Sequence, residues 1–247
     1  RKIMQLPQAI FVAAVTTAIF PTLSRLAAEN RIAEMAGILQ KAMRVVLLLA
    51  IPGSVGLIIL RDPIIALLFE RGAFDPQATV RTAEALLYYT LGLFGLCLHL
   101  PLTRTFFALK DTKTPFWIML CTIGMKISLS FVLVNLFLHR GLALATSLTI
   151  MLNVAVLSCF LYYRIPKIFN RSFFCFIGKL TLAALLMGSI VYGADQLLAI
   201  CFGDRRWLIL RTILDITLGV TTFAGLGLAL NLDELRYVFS MYRRSII

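Results

Sequence analysis

Seven apolar runs, at residues 3–20, 45–60, 83–102, 116–137, 142–163, 173–200 and 207–230, take up 150 of the chain's 247 residues and are joined by connections that carry most of its charge. A helix needs about 20 apolar residues to cross a bilayer, where each backbone N–H and C=O must be satisfied inside the segment because no water competes. The chain is therefore expected to be all-α, a polytopic membrane helix bundle of about seven transmembrane helices. Composition agrees, with 60% apolar and 15% charged residues against about 25% charged in an ordinary soluble domain. A soluble enzyme, a disordered chain and a disulfide scaffold are excluded together.

In a soluble chain the net charge of +12 would point to nucleic acid. Here the basic residues stand in ones to threes between apolar runs, without an arginine-rich tract or an aromatic platform, so no nucleic-acid partner is expected. They follow the positive-inside bias instead. In alternate connections Arg25, Arg31, Lys41, Arg44, Arg104, Lys110, Lys113, Arg164, Lys167, Arg171, Arg236, Arg243 and Arg244 fall on one side, thirteen against eight on the other. That bias predicts a cytoplasmic C-terminus. The five cysteines, Cys97, Cys121, Cys159, Cys175 and Cys201, lie in or beside apolar runs without a CxxC pair and read as small core residues. His99 and His139 are too far apart to suggest a metal site, and no cofactor is expected. The opening Arg-Lys-Ile-Met has neither a cleaved-leader pattern nor an initiating Met, and a fragment of a longer protein is expected.

Local signals refine this layout. Leu26, Met35, Leu39 and Met43 recur at helical spacing with Arg25, Glu29, Glu34, Lys41 and Arg44 between them, which predicts an amphipathic interfacial helix near 26–44 that feeds the second crossing. Asp62-Pro63 and Asp75-Pro76 each put a capping carboxylate before a proline suited to a first helical turn. Between them residues 64–70 predict a helix too short to span, and Thr114-Pro115 opens the fourth run in the same way. The connection at His139-Arg140-Gly141 is so tight that the fourth and fifth runs are expected to form an antiparallel hairpin.

Lys126 stands ten residues from the start and eleven from the end of its run, about 15 Å from either surface at 1.5 Å per residue. A lysine side chain reaches roughly 6 Å and does not snorkel out from that depth. Facing lipid there would cost about 2.5–3.5 kcal/mol, so the residue is expected to face the bundle interior or a wet cavity. Thr122 and Ser130 flank it one turn away on the same face, and Thr146, Thr149 and Asn153 mark the fifth run. Two such polar stripes make either a cavity wall or interhelical hydrogen-bonding glue. Lys179, within two turns of the basic side, is expected to snorkel, and Arg211 and Asp215, one turn apart, to neutralise each other.

Four ordered motifs resemble one family. They are Lys-Ile-Met-Gln-Leu-Pro-Gln from Lys2 with Phe20-Pro21-Thr22-Leu23-Ser24; Leu68-Phe69-Glu70-Arg71-Gly72-Ala73-Phe74; the run from Arg104 through Asp111 to Pro115; and Gly141-Leu142-Ala143-Leu144-Ala145-Thr146-Ser147 with Asn153. The chain resembles the MurJ/MviN lipid II flippases of the multidrug/oligosaccharidyl-lipid/polysaccharide exporter superfamily. The resemblance implies the C-terminal part of a fourteen-helix transporter, with 1–165 the remainder of a transporter lobe and 166–247 a final helix pair, a lipid-tail groove and a cytoplasmic tail. Further implications are alternating-access transport without catalysis, a lipid-linked disaccharide-pentapeptide pyrophosphate as cargo in a bacterial inner membrane, and a missing N-terminal half of the same protein. The family has Asp-Arg before its Met-x-x-Pro stretch, which places Arg1 at the aspartate and Lys2 at the arginine. Lys2 would then hold the pyrophosphate by charge alone, without the two-pronged recognition an arginine supplies.

Two other classes stay open: an exporter of a different lipid-linked glycan or small molecule, and a membrane-embedded polyprenyl-phosphate enzyme. A cation exporter needs a carboxylate in its cavity, whereas the charge nearest mid-run is Lys126. The enzyme needs acidic clusters, and Asp233-Glu234 is the only adjacent pair among the twelve acidic residues. The charge bias makes a direct prediction about topology. A cysteine probe at Ser240, in a background without the native cysteines, should resist membrane-impermeant label in intact cells; labelling there refutes the orientation.

Overall fold

The computed structural model describes residues 11–69, 76–166, 168–201, 207–232 and 234–235. Among the described residues the long elements are helices: α1 (Ala13–Ala28), α2 (Ile32–Ile59), α3 (Arg61–Phe69), α4 (Pro76–Thr90), α5 (Leu93–Ala108), α6 (Lys113–Leu138), α7 (Arg140–Arg164), α8 (Arg171–Cys201) and α9 (Leu208–Ala229). Five of these, α2 and α6 through α9, are long and apolar enough to cross a membrane, and α4 with α5 make a sixth if the pair counts as one broken span. The first expected run begins outside the described residues, and its helix α1 continues past Phe20 to Ala28.

Packing divides the chain into two units, Arg1–Ala50 with Tyr88–Cys175, and Ile51–Leu87 with Phe176–Ile247. The second unit joins residues 51–87 to the final helix pair. In the first unit α5 lies against α1 and against the α6–α7 pair, with Leu93, Leu102 and Phe106 fully enclosed. In the second, Leu60, Met187 and Val191 are buried under Val55, Ile59, Ile64, Phe223 and Leu226, and α3 lies against α9. Inside a bilayer the gain from such contacts is dispersion between close-packed atoms, because lipid tails are as apolar as leucine.

The expected hairpin is present. The chain reverses at Leu138, whose φ is 49°, and Gly141 is required beside it because a Cβ there would stand 2.0 Å from the Leu133 carbonyl oxygen. Asn153 pairs with Thr122 midway along the two helices, and Arg164 pairs with Asp111 at the far end. These contacts follow one antiparallel register from end to end.

Helix ends repeat one device. After α1, α5 and α9 the chain passes through a positive-φ residue, Asn30, Lys110 and Asn231 respectively. The next amide then returns to a carbonyl five residues back, as Arg31 N to Leu26 O, Asp111 N to Phe106 O and Leu232 N to Gly227 O. This closes carbonyls that the helix leaves open.

Several expectations are corrected. The chain turns at residues 29–31, and α2 runs unbroken through the rest of the segment expected as a separate interfacial helix. Met35, Leu39 and Met43 are buried in protein, so this apolar stripe is the packed face of a crossing helix. Run 83–102 is broken at Leu91–Gly92 into α4 and α5. Asp62 lies one residue inside α3 and pairs with Arg61 at 3.5 Å, so it does not precede the helix as a cap. Asp75 is outside the described residues. Cys97 is buried, whereas Cys121, Cys159 and Cys175 are exposed, because they fall on the outward faces of α6, α7 and α8. Lys179, whose expected reach toward the helix end is not contradicted, is exposed and donates to the Leu230 carbonyl at the end of α9. Arg211 pairs with Asp195 of α8 at 3.0 Å and not with Asp215; the guanidinium reaches across to the neighbouring helix instead of along its own.

The break at Gly92 carries a testable consequence. A Cβ on Gly92 would lie 2.8 Å from the Ser147 Cα, a backbone atom that cannot turn aside. Gly92→Ala should therefore destabilise the protein by about 1–3 kcal/mol, while Gly124→Ala, inside α6 with open space around it, should not lower the thermal unfolding midpoint and raises it slightly.

Candidate functional site

The cavity that Lys126 enters is built from a helix break and a hairpin. Where α4 ends, its last carbonyls lose the amides that a continuing helix would supply. The Gly92 amide shifts to Tyr89 O at 3.1 Å, and Ser147 of α7 makes good the loss at Tyr88, its hydroxyl donating to Tyr88 O at 2.6 Å and lying 3.2 Å from Tyr89 O. Close approach at Gly92 brings that hydroxyl into place. Between α5, α6 and α7 the same arrangement leaves a cavity of about 230 Å³ lined by Tyr89, His99, Thr122, Lys126, Thr146 and Asn153 among others.

The two polar stripes divide between the expected roles. Thr122 donates its hydroxyl to Ile118 O at 2.6 Å and accepts the Asn153 Nδ2 amide at 2.9 Å, which ties α6 to α7. Thr146 returns its hydroxyl to Leu142 O, and Thr149 to Ala145 O. Lys126 lines the cavity and has no hydrogen-bond or ion-pair partner among the described residues. Asn153 is buried and its Oδ1 also lacks a partner. Lys126 therefore offers an unpartnered cation to this small space, which suits a bound polar group or water.

Not every expected residue arrives there. Ser130, half-buried one turn further along α6, does not line the cavity, and Arg1 and Lys2 lie outside the described residues. His99, Tyr89 and Ser147 line it without having been singled out as site residues. A histidine inside an apolar run was the available signal, but its meaning depends on which helix it faces.

The family model described as lipid II flippase MurJ matches residues 1–206. This chain belongs to the MurJ lipid II flippase family. A probable lipid II flippase MurJ of Rickettsia prowazekii (strain Madrid E) is 33% identical over 190 residues, covering 77% of this chain and 38% of that protein. One from Thermotoga maritima (strain ATCC 43589 / DSM 3109 / JCM 10099 / NBRC 100826 / MSB8) is 32% identical over 237 residues, covering 96% and 46%. A solved lipid II flippase MurJ in an inward closed conformation matches with a TM-score of 0.71 at 28% identity, over 91% of this chain and 45% of that one. The chain thus spans less than half the length of these relatives. Family and helices together make it part of a multi-pass membrane protein.

Of the motif residues that resemble MurJ, Thr146, Ser147 and Asn153 line the cavity, whereas Arg104, Asp111 and Pro115 do structural work at helix ends, away from it. Arg104 of α5 stacks its guanidinium 5.6 Å from the centre of the Phe20 ring on α1, joining two motif segments. Pro115 is buried in the first turn of α6. Asp111 caps that helix in place of the expected Thr114: its Oδ1 accepts the Thr114 amide at 3.0 Å, its Oδ2 the Thr114 hydroxyl at 2.8 Å, and Arg164 stands 3.3 Å away.

The Thr114 amide, followed by the Thr114 hydroxyl and the Arg164 charge, holds the Asp111 carboxyl below the usual carboxylate range, against the opposing effect of burial. A carboxylate whose folded value is depressed stabilises the fold above its unfolded value and loses that contribution as pH falls through the folded one. Asp111→Ala should therefore lower stability at neutral pH by about 0.5–2 kcal/mol. The gap from wild type should narrow as pH falls below the ordinary aspartate value of about 3.9, as read by thermal unfolding across pH.

Proposed function

We propose that this chain is the C-terminal part of a flippase that moves the lipid-linked peptidoglycan precursor, lipid II, from the inner to the outer leaflet of a bacterial cytoplasmic membrane by alternating access. Membership of the MurJ family carries the reading, and the unpartnered cation in the α5–α7 cavity gives it a chemical basis in this chain. A half-buried ammonium at mid-run depth with no ion-pair partner among the described residues attracts an anion, and the cargo's pyrophosphate is a strongly anionic group that suits it. At about 230 Å³ the cavity takes one such group and not a disaccharide-pentapeptide.

In this reading Lys126 binds the anion, and Thr122 and Asn153 hold the hairpin so that the ammonium points inward. Lys2, with Arg1 beside it, adds a second positive charge at the start of the lobe. Helices α8 and α9 form the groove for the lipid tail, and the C-terminus is cytoplasmic. The process is transport, with nothing hydrolysed by these residues.

Lys126→Met in the full-length protein should leave abundance close to wild type while lowering leaflet-to-leaflet lipid II transport and complementation of a flippase-depleted strain. Unchanged transport at normal abundance overturns the role of Lys126. Lower abundance with normal transport per molecule assigns it to structure instead.

A further inference from the structure

The final two helices hold a charge arrangement that the Lys126 cavity does not use. Arg211 of α9 donates through Nε, at 3.0 Å, and through Nη2 to a single oxygen, Oδ1, of Asp195 on α8. Both side chains are nearly enclosed, at 17% and 11% exposure. One turn beyond Arg211, Asp215 is completely buried, and neither carboxylate oxygen has a hydrogen-bond partner among the described residues. Asp195 and Arg211 are the charged groups that act on it.

Two carboxylates therefore share one guanidinium, and that guanidinium is already committed to Asp195. The remaining formal charge is −1 in an apolar surround, where an uncompensated carboxylate is not tolerated. Asp195 and Asp215 lie at matching depth, about 9 and 10 Å in from the ends of α8 and α9 that face each other across the 202–206 connection, at 1.5 Å per residue. A cavity of about 710 Å³ gives access to Asp195 and Arg211.

The other groups lining that cavity do not supply the missing charge. On α3, Arg61 and Asp62 pair with each other at 3.5 Å, and Arg61 also donates to Ile58 O. On α4, Thr79 and Val80 carry no charge, and on α8 the phenol Tyr192 and the amide Gln196 are neutral. Among the described residues no cluster of three or more His, Cys, Asp or Glu is present, so the site lacks the carboxylates that a divalent ion takes.

We propose that Asp215, together with Asp195, forms a binding site for one monovalent cation, a proton or an alkali ion, that enters through the cavity bounded by α3, α4, α8 and α9. Occupancy completes the charge balance of the final helix pair. The site is separate in sequence and packing unit from Lys126, and its existence does not depend on the cargo.

The test uses the purified full-length protein in lipid nanodiscs, with the thermal unfolding midpoint followed from pH 8.5 to 5.5 in choline chloride and at pH 8.5 as sodium replaces choline. For wild type the midpoint should rise by about 1–2 °C for each tenfold increase in the bound cation above its dissociation constant. A response to acid alone identifies the proton, and a response to sodium the alkali ion. Asp215→Asn, a neutral isostere, should lose that response. A wild-type midpoint that responds to neither cation, or an Asp215→Asn protein that responds like wild type, overturns the site. Labelling of the unmutated protein with dicyclohexylcarbodiimide makes the test independent of how the variant folds. Modification at Asp215 should fall with sodium or with rising pH, and modification that is absent or insensitive to both overturns the proposal.

Discussion

A helix surrounded by lipid has to satisfy its own backbone, and at several interruptions among the described residues a specific group does so. Three helix ends close through a positive-φ residue, and the amide after it returns to an open carbonyl. Two helix starts are closed by side chains: Asp111 takes the Thr114 amide, and Asn170 takes the Phe173 amide while also accepting Gln40 Nε2. The break between α4 and α5 occurs inside an apolar run, where open backbone groups are costly. Ser147 answers it from another helix, and only because Gly92 admits the close approach. The cavity around Lys126 is a by-product of that repair.

The same accounting applied to side chains separates structural charges from working ones. Asp111 with Arg164, and Arg211 with Asp195, are paired and hold neighbouring helices in register. Lys126 and Asp215 are not paired among the described residues. An unpaired charge in an apolar interior marks a place that something else must fill. One lacks an anion and the other a cation, and they lie in different packing units.

Much of this was legible from one strand of text. The apolar runs located the long helices, the tight His139-Arg140-Gly141 connection located the hairpin, and the depth of Lys126 in its run identified the residue that faces the cavity. Each rests on local composition or on position along a single helix. The misreadings share a different origin. Arg211 stands one turn from Asp215, and sequence spacing pairs them, but α8 presents Asp195 to the same guanidinium at bonding distance. Ser130 shares a helical face with Lys126, yet it is not among the residues that line the cavity. Run 83–102 has the hydropathy of an unbroken span, and the Gly92–Ser147 contact that breaks it joins residues far apart in the chain.

Hydropathy and periodicity depend only on near neighbours, so the helical class, the membrane setting and the count of charges needing partners were already written in the order of residues. Motif order carried the family for the same reason. Which partner each charge found, where a helix had to break, and which hydroxyls became glue and which faced open space depended on faces of separate helices meeting. Hydrogen bonds and ion pairs act over about 3 Å, and contacts at that range between distant residues exist only once the helices are packed.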